Sequence, residues 1–245
     1  MEPAAGQVIY GINGRDRYAF APLDDAALFD IGADPDRILC AVLLPDAGLI
    51  QPQDLGALPI VDAELMLAHF CATTFGDAIG HNITCRSCQK KYGVEFSLST
   101  YAGLLAAEVV PHRLPDFRGH PLRLPSRDLV RTTSPTAEGL ARAVWQKQGV
   151  IAAEELQALE AYLEKSCPVL QEDITSPCPA CQTEQSFRFV LRDWVVMKLR
   201  SRLKQVLMQV HLLATAYHWR TADIFALSRA NRMALIDTMR SHAAR

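Results

Sequence analysis

The sequence predicts an α+β fold in which two short β-hairpins, each turning on a CxxC pair, meet across a mostly helical insert and lead into a long helical arm. Three observations predict it. CRSC, from Cys85 to Cys88, is repeated almost unchanged as CPAC, from Cys178 to Cys181. The residues behind the two pairs, YGVEFSL and SFRFVL, alternate apolar and polar, which is the period of a strand. Residues 192–217 contain neither Gly nor Pro and space their apolar residues by three and four, which is the period of a helix.

The totals set the frame. A length of 245 residues fits one large domain or two small ones, and 49% hydrophobic residues suffice for a packed core. The formal net charge of -2 steers the chain toward neither nucleic acid nor an anionic membrane. The N-terminus MEPAAGQVIY lacks a basic start and an apolar core, and the longest apolar run, ILCAVLL, is far shorter than the ~18 residues of a spanning helix. A soluble, cytoplasmic protein is expected. Seven cysteines, four of them in CxxC pairs, suit a reducing compartment, and Cys40, Cys71 and Cys167 read as small core residues.

Residues 1–60 read as a strand-rich segment. VIYGINGRDRYAF alternates about the turn signal Asn13-Gly14, and RILCAVLL is a plausible buried strand or a single helical turn. Residues 61–110 carry a helix over 63–75, with Asp62 as N-cap and Gly76 as stop, and then the first CxxC hairpin. Residues 111–170 begin with prolines 111, 115, 121 and 125, which predict an extended stretch. Helices from Ser134-Pro135 through Gln148 and over IAAEELQALEAYLEK follow. The second CxxC hairpin occupies 171–191, and 192–245 form the arm. Ile-Thr precedes both pairs, and Phe96 and Phe189 each fall eight residues after the second cysteine, so one supersecondary unit is used twice.

Two CxxC turns offer four thiolates, the ligand set of a structural zinc ion (Zn2+) in tetrahedral geometry. Cys85, Cys88, Cys178 and Cys181 are the predicted ligands, and together they make a zinc ribbon. Pairs in such ribbons usually lie ~15 to 20 residues apart, whereas here 89 residues separate Cys88 from Cys178. Loop-closure entropy grows only logarithmically with length, so the spacing is compatible with one site. The alternatives are reduced cysteines without metal, or two separate redox pairs. A redox pair belongs at a helix start, where the dipole lowers the thiol pKa, and strand-like residues follow both pairs here. Four thiolates leave no open position for a catalytic water, so the ion is a staple. His81 is a substitute ligand that four cysteines make unnecessary.

On the long helix, Val196, Leu199, Leu203, Val206, Val210, Leu213 and Tyr217 form one apolar seam. Trp194, Met197, Met208 and Leu212 form a second apolar side, covered either by the chain itself or by a partner or second copy. Lys198, Arg200, Arg202 and Lys204 flank the seam on both sides, which argues against a nucleic-acid stripe. Thr221 and Ser228 are candidate caps of two short helices. His218, between Tyr217 and Trp219, has no nucleophile signature tied to it and reads as a turn residue.

HLLATAYHWRTADIFALSRANRMALIDTM resembles the C-terminal signature of a family of baseplate proteins of contractile-tailed phages and extracellular contractile injection systems. The order of an early helix ending FGD, CxxC, LRLPSRDL, helices, CxxC and long helix is similar over residues 61–240. Family members often place a glycine after each knuckle, where this chain has Gln89 and Gln182. The resemblance implies a baseplate hub or tail-assembly component with no catalytic activity. It would bind other tail proteins, or itself, through Trp194, Met197, Met208, Leu212 and Trp219, and could be carried in a phage or tail-like particle. The rivals are a zinc-ribbon regulator that binds nucleic acid and a thiol-dependent enzyme.

Overall fold

The computed structural model describes residues 4–109, 116–134, 136–145 and 151–243. Among them are ten α-helices and four two-stranded antiparallel sheets. The chain divides into two compact units, one made of Met1–Ala21 with Leu43–Leu191, the other of Pro22–Val42 with Arg192–Arg245.

The first unit opens with a hairpin, β1 (Ala4–Ile12) and β2 (Arg15–Phe20). Asn13 and Gly14 both take positive φ, 51° and 76°, as a two-residue hairpin turn requires. Helix α3 (Ile60–Phe75) packs on β1 and ends at Gly76, whose φ is 93°. Asp62 is not its N-cap. The helix starts two residues earlier, and Asp62 is fully buried, its carboxylate accepting from the amides of Ile9 (2.9 Å), Tyr10 (3.1 Å) and Gly11 (2.8 Å). Those amides sit where the β1–β2 register shifts, so the carboxylate takes over donors that the irregular ladder leaves unpaired.

The first CxxC hairpin, β3 (Ala78–Thr84) and β4 (Lys91–Ser97), runs directly into α4 (Leu98–Val109). The insert follows. Its hairpin β5 (Asp116–Phe117) and β6 (His120–Pro121), α5 (Arg127–Thr132), α6 (Ala137–Trp145) and α7 (Ala153–Ser166) enclose a local core that includes Phe117, Leu122, Leu129, Val144, Trp145 and Leu159. The proline-punctuated stretch is thus partly pinned, since Phe117 and Leu122 are buried. Pro111, Pro115, Pro135 and residues 146–148 lie outside the described residues. The second CxxC hairpin, β7 (Gln171–Pro177) and β8 (Glu184–Val190), closes the unit.

The second unit contains α1 (Asp25–Ile31), α2 (Pro35–Val42), α8 (Leu191–Tyr217), α9 (Thr221–Ala226) and α10 (Arg229–Ala243). RILCAVLL is therefore not a strand: all but its last two residues lie in α2. The Asp34 carboxylate accepts from the amides of Asp36 (3.0 Å) and Arg37 (3.2 Å), Pro35 sits at the first helical position, and Ile38, Leu39 and Val42 are buried at helical spacing. Cys40 points the other way and is exposed, not a core residue, whereas Cys71 is buried.

On α8, Leu199, Val206 and Leu213 are deeply buried at intervals of seven, the inner line of the predicted seam. Leu213 packs with Ile224 and Ile236. A charged cluster fixes α1 to the arm. Asp25 accepts from Arg202 Nε at 3.0 Å and from Arg232 Nη2, while Arg232 also donates to Gln209 Oε1 (3.1 Å) and the Leu227 carbonyl (2.8 Å). Both Asp25 and Arg232 are buried, so each needs the other. The arm's two short helices are capped differently from expectation in one case. Ser228 caps α10 by accepting from the Asn231 amide at 3.2 Å, but α9 is preceded by Arg220, with Thr221 inside it. His218 takes φ 54° and its amide donates to the Ala214 carbonyl at 2.9 Å, which ends α8 and lets the Tyr217 and Trp219 rings stack at 4.9 Å.

Candidate metal centre

The two CxxC turns are built alike. In the first, the Cys85 amide donates to the Lys90 carbonyl (2.9 Å) and the Gln89 amide to the Cys85 carbonyl (2.9 Å). In the second, the Cys178 amide donates to Thr183 (3.0 Å) and the Gln182 amide to Cys178 (2.8 Å). Gln89 and Gln182, each directly after the second cysteine of its pair, adopt φ of 61° and 60°. Both hairpins pair seven residues against seven, from Thr84 with Lys91 to Ala78 with Ser97 and from Pro177 with Glu184 to Gln171 with Val190.

These turns bring Cys85, Cys88, Cys178 and Cys181 together, with all four sulfurs within 4.8 Å of one another. Two close approaches run crosswise between hairpins, Cys85 to Cys181 at 3.6 Å and Cys88 to Cys178 at 3.7 Å. Four thiolates each ~2.3 Å from one tetrahedral ion have edges of ~3.8 Å, close to these values. A shared centre demands such crosswise proximity, and a pair of independent redox couples does not. The all-sulfur donor set suits a soft or borderline ion and is foreign to magnesium or calcium, so the cluster is a possible metal site compatible with zinc.

The surroundings hold the sulfurs in place. The Arg86 amide of the first turn donates to Gln185 Oε1 of the second hairpin at 3.0 Å, and the Tyr92 hydroxyl donates to the Ser176 carbonyl at 3.2 Å. Tyr92 and Gln185 each stand seven residues after the first cysteine of their pair, so the doubled spacing is the signal that marks both. Phe96 and Phe189 meet edge to face at 5.1 Å. His81 stacks on Phe187 at 4.2 Å, so its ring buttresses the hairpins and is not in the sulfur cluster.

Cys85 and Cys178 are buried, Cys88 is half-buried and Cys181 exposed. The thiols differ accordingly. The Thr183 hydroxyl, 3.4 Å from Cys181 Sγ, and the Thr183 amide favour the thiolate and bring Cys181 down to about 6. At Cys88 the Lys90 amide pulls downward, but burial and the three neighbouring sulfurs outweigh it and push the thiol up to about 11. A cation among the four sulfurs would relieve that crowding.

The residues predicted as a partner surface separate into two groups. Trp194 is buried, with Lys198 Nζ 5.0 Å above its ring, and Leu212 is half-buried. Met197, Met208 and Trp219 are 55%, 51% and 37% exposed. Leu207, which sequence patterning did not single out, is exposed as well, and so is Met233, which the patterning places on the apolar side of the tail helices. None of the helices among the described residues is long and apolar enough to cross a membrane. No protein-family model, no curated protein and no solved structure matches this chain.

Proposed function

We propose that the chain is an assembly protein of a contractile-tail baseplate, a hub component or a chaperone, that works by binding other proteins and has no catalytic role. The observation that carries this reading is the four-sulfur cluster. Its ligands complete a tetrahedron by themselves, so a zinc ion there is a staple joining two hairpins into a zinc ribbon, with no position left for a substrate or an activated water. Zinc supplies cross-linking strength and nothing else. The strand that leaves the second knuckle, β8, passes without an intervening residue into α8. Exposed Met197, Met208 and Trp219 supply the arm's apolar binding surface. The similarity of residues 61–240 to the baseplate family in both motif order and arm signature supports the identity of the partners.

The test is metal analysis of the purified chain together with size-exclusion co-elution against purified baseplate proteins of a contractile tail. One zinc per chain and a stable complex with at least one component are expected. Folded protein that neither carries zinc nor takes up one equivalent, or failure to join any component, overturns the reading. Steeply salt-dependent retention on DNA would replace it with a nucleic-acid regulator.

A further inference from the structure

The arm carries a trough of about 460 Å³ between α8 and α10. Gln205 with Arg229 and Gln209 with Arg232 are hydrogen-bonded pairs, so the two helices run in the same direction along it. Its floor is apolar, formed by Met208, Leu212, Met233 and Ile236. Met208 and Met233, one from each helix, are 51% and 38% exposed. Its rim is cationic, with Lys204, Arg229 and Arg240 and no carboxylate among the lining residues. Asp237 stands 3.9 Å from Arg240, but that pair is exposed and worth little.

We propose that this trough receives an acidic amphipathic helix from another protein. The inference rests on the reading of the arm as a protein-binding element and names the class of partner. On α8 the lining runs from Ser201 to Leu212, which at 1.5 Å per residue is ~16 Å, or three helical turns. That length matches anchors at i, i+3, i+4 and i+7 of a docked helix. Methionine floors adapt to varied apolar anchors because the thioether chain is unbranched and polarizable. Flanking Glu or Asp on the incoming helix would meet Lys204, Arg229 and Arg240, and these contacts fix orientation and speed encounter. Nucleic acid is a poorer occupant, because no aromatic ring lines the trough to stack a base.

The experiment uses the full, zinc-loaded chain and a labelled, helix-stapled peptide of about four turns, with Leu at i, i+3, i+4 and i+7 and Glu elsewhere. Its twin carries Lys in place of every Glu. Fluorescence anisotropy should show the acidic peptide binding about tenfold or more tighter than the twin, with about tenfold loss in Met208→Glu and in Arg229→Glu/Arg240→Glu. The arginine variant alters only exposed side chains, so it remains informative if Met208→Glu disturbs folding. Absence of saturable binding, equal affinity for the two peptides, or unchanged affinity in the arginine variant overturns the proposal. So does displacement of the peptide by a single-stranded oligonucleotide, or a self-association, seen by sedimentation, that Met208→Glu abolishes. If the peptide fails while baseplate co-elution persists, the trough assignment is wrong and the assembly reading stands. If the peptide binds while co-elution fails, the reverse holds.

Discussion

Replacing Cys178 by Ala should empty the metal centre and lower stability as much as chelation does. The hairpins are also joined by contacts independent of the metal: Arg86 to Gln185 at 3.0 Å, Tyr92 to Ser176 at 3.2 Å, Phe96 against Phe189 at 5.1 Å and His81 against Phe187 at 4.2 Å. At about 0.5–1.5 kcal/mol each, these four retain roughly 2–6 kcal/mol when the metal is gone. The chelated chain should therefore stay folded. Metal at a thousand times its Kd contributes about 4 kcal/mol, and at about 2–4 °C per kcal/mol for a chain of this size its removal should lower Tm by about 8–16 °C. The assays are differential scanning calorimetry with and without chelator, and zinc release measured with a colorimetric indicator. Stoichiometric zinc retained by Cys178→Ala, or a Tm that ignores the chelator, would refute a centre shared by the two hairpins.

Other consequences are open to measurement. Arg232→Met strands the buried Asp25 with Arg202 alone and should cost about 3 kcal/mol in urea unfolding; a change under about 0.5 kcal/mol would discount the cluster. Burial lowers the pKa of His69, whose Nδ1 lies 2.9 Å from the Tyr18 hydroxyl. The unfolded chain then protonates first, so this contribution to stability is complete above about pH 6.5 and is lost as pH falls. His69→Gln should flatten that part of the urea-midpoint profile, and an unchanged profile would argue against it. Gln182→Gly relieves a left-handed backbone at φ 60° and should raise stability by a few tenths to about 1 kcal/mol; a lower Tm would contradict the strain.

The four-cysteine cluster was legible because metal ligation demands one residue type at fixed spacing, and a pair of knuckles repeats that spacing. Phe96 and Phe189, eight residues past their cysteines, occupy equivalent positions and touch. The Ile-Thr repeat is offset by two residues against the cysteines. Pro177, not Thr175, holds the position in the second hairpin equivalent to Thr84 in the first, since Thr84 pairs with Lys91 and Pro177 with Glu184. A slip of two residues keeps Ile83 and Ile174 on like faces of their strands, so alternation alone could not detect it. RILCAVLL misled for a different reason: a short apolar run has no decisive period, and the Asp34-Pro35 start signal stands just outside it. Asp62 offered a good cap by type, but its use depends on β1, fifty residues away in sequence. Asp25 lies even farther in sequence from its two arginines, 177 residues from Arg202 and 207 from Arg232, and no local pattern joins them.

The repeated hairpin-to-helix unit differs between its two copies. In each copy the outgoing strand enters a helix at a fully buried leucine, Leu98 or Leu191, whose amide donates at 2.9 Å to the residue just before the incoming strand, Asp77 or Leu170. Two hydrogen-bonded hairpin-to-helix joints of the same design thus close the hairpins at the ends away from the cysteine turns. The first helix, α4, has 12 residues, whereas its counterpart α8 has 27. Met208 and Leu212 lie in the added length, and every remaining residue of the trough on α8 except Ser201 lies there too. Met197, by contrast, lies within the first twelve residues of α8 and is exposed outside the trough. None of the trough residues belongs to the hairpins that carry the four cysteines, so substitutions in the trough should leave metal content unchanged.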